Sequence, residues 1–302
     1  MKIAYKAWRP QAEAQALVTH ANSIIAEYQA AGYTLTLRQL YYQFVARAVI
    51  PNSEKSYKNL GNIVTRARMA GMISWQAIED RGRACKSPWT EEDLLTPVEN
   101  LPHYIRFDQW ARQDTYLECW VEKEALGNVV ERACSPLLVP WLSCKGYLSA
   151  SEAWRSGMRF AQKMQEGKAC VLIHLGDHDP SGIDMTRDNQ ERMDVFTRIP
   201  YGVEVKRVAL NMDQVEKYGP PPNPAKMTDT RAHAYIAEYG SESWELDALE
   251  PQVLEDLIAG EALKYIDSEV WSDVQEEQEA AREVLRKVGD NWGAVQALVE
   301  NL

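Results

Sequence analysis

Residues 169–184 read ACVLIHLGDHDPSGID, and the fold turns on them. Ala169–Ile173 is a short apolar run with the profile of a buried strand, and Pro180 and Gly182 break it and begin a turn. Asp177 and Asp179 stand one residue apart where that strand would end. A D-x-D in that place directs two oxygens towards one spot, which suits a hard cation such as Mg²⁺. The plainer reading is an acidic turn that caps the next helix.

Strand-like and helix-like stretches alternate on either side of this turn. Leu117–Val121, Leu137–Leu142, Ala169–Leu175 and Val203–Leu210 read as strands. Glu124–Cys134, Ser149–Gln165 and Ile183–Thr197 read as the helices between them. Such alternation predicts an α/β domain with a largely parallel sheet flanked by helices. Residues 10–32, 36–48 and 54–69 read as three earlier helices, with Ser53 as an N-cap, and Met72–Ile78 has strand-like content. Three helices and a short hairpin describe a mainly-α winged-helix module, a helix-turn-helix variant. The expected division is a winged-helix module over 1–85, a connector over 86–112, and an α/β metal-binding domain over 113–302 that ends in an acidic helical extension.

Charge follows this division. The whole chain carries −11, yet residues 1–86 hold twelve Lys/Arg against five Asp/Glu, and residues 236–302 hold four against seventeen. A basic module joined to an acidic one points to a polyanion as the partner of the basic end. The five cysteines form no C-x-x-C pair and read as reduced thiols of a cytoplasmic protein. No apolar run is long enough to span a membrane, and the first residues lack the apolar stretch of a signal peptide. No Walker A loop or dinucleotide glycine fingerprint occurs, so nothing points to ATP or NAD.

Three groups could build one site. Glu122 ends an apolar strand and could share a cation with Asp177 and Asp179, because parallel sheets place functional residues at the carboxyl ends of their strands. In the second helix, Leu37, Leu40, Tyr41, Phe44, Val45 and Ala48 form a buried stripe. Tyr42 is turned about 100° from that stripe and is expected to be exposed or partly covered. Arg38 lies four residues earlier on the same face. Its guanidinium could grip a phosphate and favour the phenolate, whose ordinary pKa of about 10 is high for a nucleophile. In the third helix, Lys55, Lys58, Asn62 and Arg66 form a basic, amide-bearing stripe suited to DNA contact.

Taken together these residues resemble the A subunit of topoisomerase VI and its relative, the meiotic double-strand-break protein. The R-x-x-Y/F-Y motif of that family appears as Arg38-Gln39-Leu40-Tyr41-Tyr42, V-E-K-E-A as Val121–Ala125, K-G-Y as Lys145-Gly146-Tyr147, and D-x-D-P-x-G as Asp177–Gly182. The resemblance covers roughly residues 30–215, in a chain whose size is nearer the reduced forms carried by mobile elements and phages. It implies a winged helix bearing a nucleophile, Tyr42, with Arg38, and a Toprim domain holding Mg²⁺ (or Mn²⁺) on Glu122, Asp177 and Asp179. Lys145 would contact DNA or help close the metal site. It further implies a homodimer on double-stranded DNA, each site joining the tyrosine of one protomer to the metal of the other. Strand passage would call on a separate ATPase B-type subunit. Rival readings are a Toprim nuclease that activates water, and a DNA-binding protein without catalysis. The segment Trp244-Glu245-Leu246-Asp247-Ala248-Leu249 has no assigned part. The helix-face assignment predicts that Tyr41→Ser lowers stability through lost core packing, while Tyr42→Phe leaves the melting temperature nearly unchanged; thermal melts of the two variants check it.

Overall fold

The computed structural model of the chain describes residues 2–79, 88–225 and 227–301. Strands β1 (Thr115–Val121), β2 (Trp141–Ser143), β3 (Ala169–Leu175) and β4 (Val203–Ala209) form one parallel sheet in the order β2-β1-β3-β4. Alternate side chains of each strand enter opposite layers. Leu117, Cys119 and Val121 join Val171, Ile173 and Leu175 in one core, whereas Trp120, Cys170 and Leu172 join the other. Helices α5 (Gly127–Cys134) and α10 (Pro251–Ala262) belong to the first layer, and α6 (Ala150–Gln165) and α7 (Pro180–Thr197) to the second. The chain is therefore α/β, with helices on both faces of the sheet.

The N-terminal helices are α1 (Ala12–Ala30), α2 (Leu37–Ala46) and α3 (Glu54–Met69). Thr36 opens α2 with a reciprocal capping box to Gln39, and Ser53 caps α3, as its position suggested. The expected strand at Met72–Ile78 is instead a single 3-10 turn, Trp75–Ala77, flanked by isolated bridges. Arg68 explains the departure: its guanidinium lies 4.7 Å from the centre of the Trp75 ring and donates to the carbonyls of Trp75 and Ile78. Those bonds curl the segment around one side chain. No hairpin is present here among the described residues, and 80–87 lie outside them.

Two other expectations shift. The strand read at Leu137–Leu142 begins only at Trp141, because Pro140 has no N–H to give and Leu138 sits at a φ of 51°. The connector contains a helix, α4 (Leu95–Tyr104), packed on α11 (Ser268–Asp290). Arg112 pairs both its terminal nitrogens with Glu277, and Phe107 N donates to Gln278. The acidic C-terminal region is helical as read, but α10 belongs to the sheet core through Leu254, Ile258 and Ala262. No helix of the described residues is long and apolar enough to cross a membrane.

The two modules pack together. Arg132 lies 4.1 Å from the centre of the Tyr33 ring and pairs with Glu255, while Tyr33 Oη donates to Gln252. The segment 244–249 enters both cores: Trp244, Leu246 and Leu249 join the sheet layer, and Ala248 joins the helical core. Leu246 is fully buried, so Leu246→Ala should cost about 2–5 kcal/mol. Because that segment links both cores, thermal unfolding should remain one transition at a lower temperature; separate transitions for the modules would show them independent.

Candidate functional site at the junction of the two modules

The two carboxylates of the D-x-D part company. Asp179 caps α7, accepting from Gly182 N at 2.7 Å and from Ser181 Oγ at 2.8 Å. For this residue the plainer sequence reading holds. Asp177 turns the other way: its Oδ1 accepts from Leu246 N at 2.7 Å and lies 2.7 Å from Lys123 Nζ. The turn between them is tight. A Cβ at Gly182 would sit 2.2 Å from the Asp177 carbonyl oxygen, so only glycine fits there. Arg207 of β4 holds the same turn from below, donating to the carbonyls of Gly176, Asp177 and Gly182. Burial pulls its pKa down to about 10, against the pull of Glu122, Asp177 and Asp179.

Lys123 is the centre of the site. Its ammonium touches Asp177 Oδ1, Asp247 Oδ1 at 2.9 Å, and Glu245 Oε2. Burial opposes its charge, yet the three carboxylates outweigh that and hold it above the usual lysine range. Arg38 reaches the same group from the N-terminal module, with Nη2 2.8 Å from Glu245 Oε2 and Nε 2.8 Å from Asp247 Oδ2. Glu245 is held down to about 2 by Lys123 and Arg38 in spite of its burial, whereas burial pushes Asp177 well above the ordinary carboxylate range.

Asp177, Glu245 and Asp247 offer oxygens within 4.8 Å of one another, and this group could hold a metal ion. Among the described residues it is the group of metal-ligating side chains that converges; Glu122 and Asp179 are not in it. Glu122 instead accepts from Asp177 N at 2.9 Å, with its pKa raised by burial. An all-carboxylate donor set matches a hard divalent cation in kind. The ammonium of Lys123 now satisfies those oxygens and would have to withdraw before a cation took them.

Tyr42 differs from its expected exposure. It is 5% exposed, because the turn Leu246–Ala248 packs against α2 and covers the face that helical periodicity leaves open. Its hydroxyl is 3.4 Å from Arg38 Nη2. The expected lowering of its pKa is reversed. Burial, then Glu245 and Asp247, push it up to about 12, and Arg38 only offsets part of this. Tyr41 is buried as read and earns its place by more than packing. Its hydroxyl donates to Asn52 Oδ1 and accepts from Ser53 N, both at 2.8 Å, which fixes the start of α3. Tyr42→Phe still removes only one long contact, so the contrast between the two variants stands on this bonding.

A cavity of about 550 Å³ lies between the modules. Arg38, Tyr42 and Tyr57 line it from the helical side, and Asp179, Trp244 and Glu245 from the other. One chain thus brings the arginine–tyrosine pair and part of the acidic turn to a common space, where the resemblance implies a tyrosine and a metal from two protomers. Lys55, Lys58, Asn62 and Arg66 are exposed on α3, whose first residues, Glu54 and Tyr57, reach the cavity. Lys58 is paired with Glu54 at 2.6 Å. Lys145 lies apart, in the left-handed region with φ 56°, exposed and paired with Glu124 at 2.7 Å.

Sequence reasoning missed Lys123, Arg207, Glu245 and Asp247. Lys123 lies inside a motif already singled out, and Arg207 shares the strand Val203–Leu210 with Glu204 and Lys206, so its charge alone did not mark it. No protein-family model, curated protein or solved structure matches the chain.

Lys123→Met leaves three neighbouring carboxylates without their shared cation, and should cost about 3–5 kcal/mol. Without it the folded-state pKa values of Asp177 and Glu245, which Lys123 lowers, rise. The penalty is then full above those values and fades as pH falls towards the ordinary carboxylate value of about 4. Denaturant melts of the variant and wild type across pH, with and without a divalent cation, measure this; the deficit should shrink at low pH and with the cation.

Proposed function

We propose that the chain cleaves duplex DNA by transesterification through Tyr42, in the manner of the topoisomerase VI A subunit and the meiotic break protein whose motifs it resembles. The observation that carries this reading is the cavity shared by Arg38, Tyr42, Asp179 and Glu245. On this reading the N-terminal helices act as a winged-helix module and the sheet as a Toprim domain. The exposed stripe Lys55, Lys58, Asn62 and Arg66 carries DNA phosphates towards the cavity.

Tyr42 Oη attacks a backbone phosphorus and gives its proton to solvent, and the bond to the 3′ oxygen breaks, that oxygen taking a proton from solvent to become the 3′ hydroxyl. A 5′-phosphotyrosyl link forms, and its reversal by the 3′ hydroxyl reseals the strand. Arg38 turns its Nη2 from Glu245 to the phosphate while Nε keeps Asp247, which offsets the phosphate charge and turns the local field in favour of the phenolate. Mg²⁺, or Mn²⁺ in its place, would be held by Asp177, Glu245 and Asp247, with Glu122 and Asp179 beside them, and would supply charge stabilisation at the phosphate. Two chains acting on opposite strands would give a double-strand break. Strand passage would further need an ATPase partner.

Two observations favour binding without cleavage: Lys123 fills the carboxylate cluster, and Tyr42 is held neutral. The two readings, and a nuclease that uses water, separate in one assay. Supercoiled plasmid is incubated with the protein and Mg²⁺ or Mn²⁺, then quenched with denaturant. Transesterification predicts protein-linked 5′ ends, lost by roughly a thousandfold or more in Tyr42→Phe. Cleavage that leaves no adduct and persists in Tyr42→Phe indicates the nuclease. Binding without cleavage, unchanged in Asp177→Ala, indicates the non-catalytic protein.

A further inference from the structure

The previously unassigned segment 244–249 delivers Glu245 to the edge of Arg38 that an anion would use. The Nε and Nη2 of Arg38 form one side of the guanidinium fork, the side suited to a phosphate held by two parallel bonds. Asp247 occupies Nε and Glu245 occupies Nη2, each at 2.8 Å. That same Nη2 lies 3.4 Å from Tyr42 Oη. The carboxylate oxygen of Glu245 therefore sits beside the phenol, where a phosphate oxygen would stand for attack.

The two carboxylates are not equivalent. Asp247 has a fully buried side chain and is absent from the cavity wall, whereas the Glu245 side chain is 21% exposed and lines the cavity. The backbone around Glu245 is pinned: Trp244 N and O pair with His178, and Leu246 N donates to Asp177. Release of Nη2 can thus come from rotation of one side chain, with Nε still on Asp247 and no opening of the modules. Lys123 would keep Asp177 and Asp247 as partners when Glu245 swings away.

We infer that Glu245 is an internal phosphate mimic, an autoinhibitory latch that holds Arg38 in the DNA-free chain until a backbone phosphate displaces it. This rests on the reading of the chain as a DNA-binding protein, and it concerns binding, so it can be tested without cleavage. Affinity for a fluorescent duplex is measured by anisotropy in EDTA over a range of salt. The proteins are the wild type, Glu245→Gln, Glu245→Asp, Arg38→Gln, the double variant Arg38→Gln/Glu245→Gln, and Glu276→Gln as an exposed-charge control.

Glu245→Gln should bind roughly three- to tenfold tighter, since one charge-assisted bond no longer competes. Its plot of log affinity against log salt should keep the wild-type slope, because the displaced latch leaves the same phosphate contact, whereas Arg38→Gln should flatten it by about 0.9. Glu276→Gln should stay within about twofold of wild type. The gain should vanish in the Arg38→Gln background. Glu245→Asp keeps the charge but draws back the one oxygen, Oε2, that meets both Arg38 and Lys123; it should show part of the gain, and it serves if Glu245→Gln folds poorly. Two results overturn the latch alone: wild type binds and neither Glu245 variant binds tighter, or the gain persists without Arg38. If wild type and every variant fail to bind duplex, the DNA reading and the latch fall together.

Discussion

A buried ammonium shared by three carboxylates holds this molecule in its observed form. Lys123 follows β1, Asp177 follows β3, and Glu245 and Asp247 come from a segment nearly seventy residues beyond the D-x-D. Arg38 brings the N-terminal helices to the same cluster. Buried ions cost desolvation energy, and the cluster persists because Glu245 and Asp247 each meet both Lys123 and Arg38, while Asp177 meets Lys123 and a backbone N–H. It ties both modules to the carboxyl end of the sheet and sets which groups can meet in the cavity.

The same cluster explains why Tyr42, the proposed nucleophile, is held neutral. Tyr42 shares an arginine with two carboxylates, under the cover of Leu246–Ala248, and burial and negative charge together keep its proton in place. A phosphate that took Arg38 would bring the guanidinium to bear on the phenol and the phosphate at once. On the proposed function, this is a resting state in which the chain's own carboxylates stand where the DNA phosphate and a cation would bind.

Much of this was legible from local pattern. The apolar run before the D-x-D is β3, with the bounds its composition implied, and the alternation around it gave a parallel sheet. The spacing of Arg38 and Tyr42 put them on one face of α2, and they are in contact. Asp179 followed the ordinary rule for a residue ahead of Pro-Ser-Gly. The illegible parts depend on distant partners. Helical periodicity left Tyr42 open because its cover comes from a segment some 200 residues away, the span of the Arg38–Glu245 bond being 207. Glu245 and Asp247 lie in a short stretch with no strong period, so nothing local marked them as partners of the D-x-D. Met72–Ile78 has strand composition, but one arginine claims its carbonyls.

The central claim is that Tyr42 becomes covalently joined to DNA in the cavity it shares with Arg38 and the acidic turn. Mass spectrometry tests it most directly. After reaction with duplex and Mg²⁺, the protein is denatured, the DNA is digested, and the tryptic peptides are searched for a nucleotide remnant. The account predicts the remnant on Tyr42 and on no other residue. Cleaved DNA with an unmodified Tyr42 peptide, or a remnant on another side chain, would contradict it.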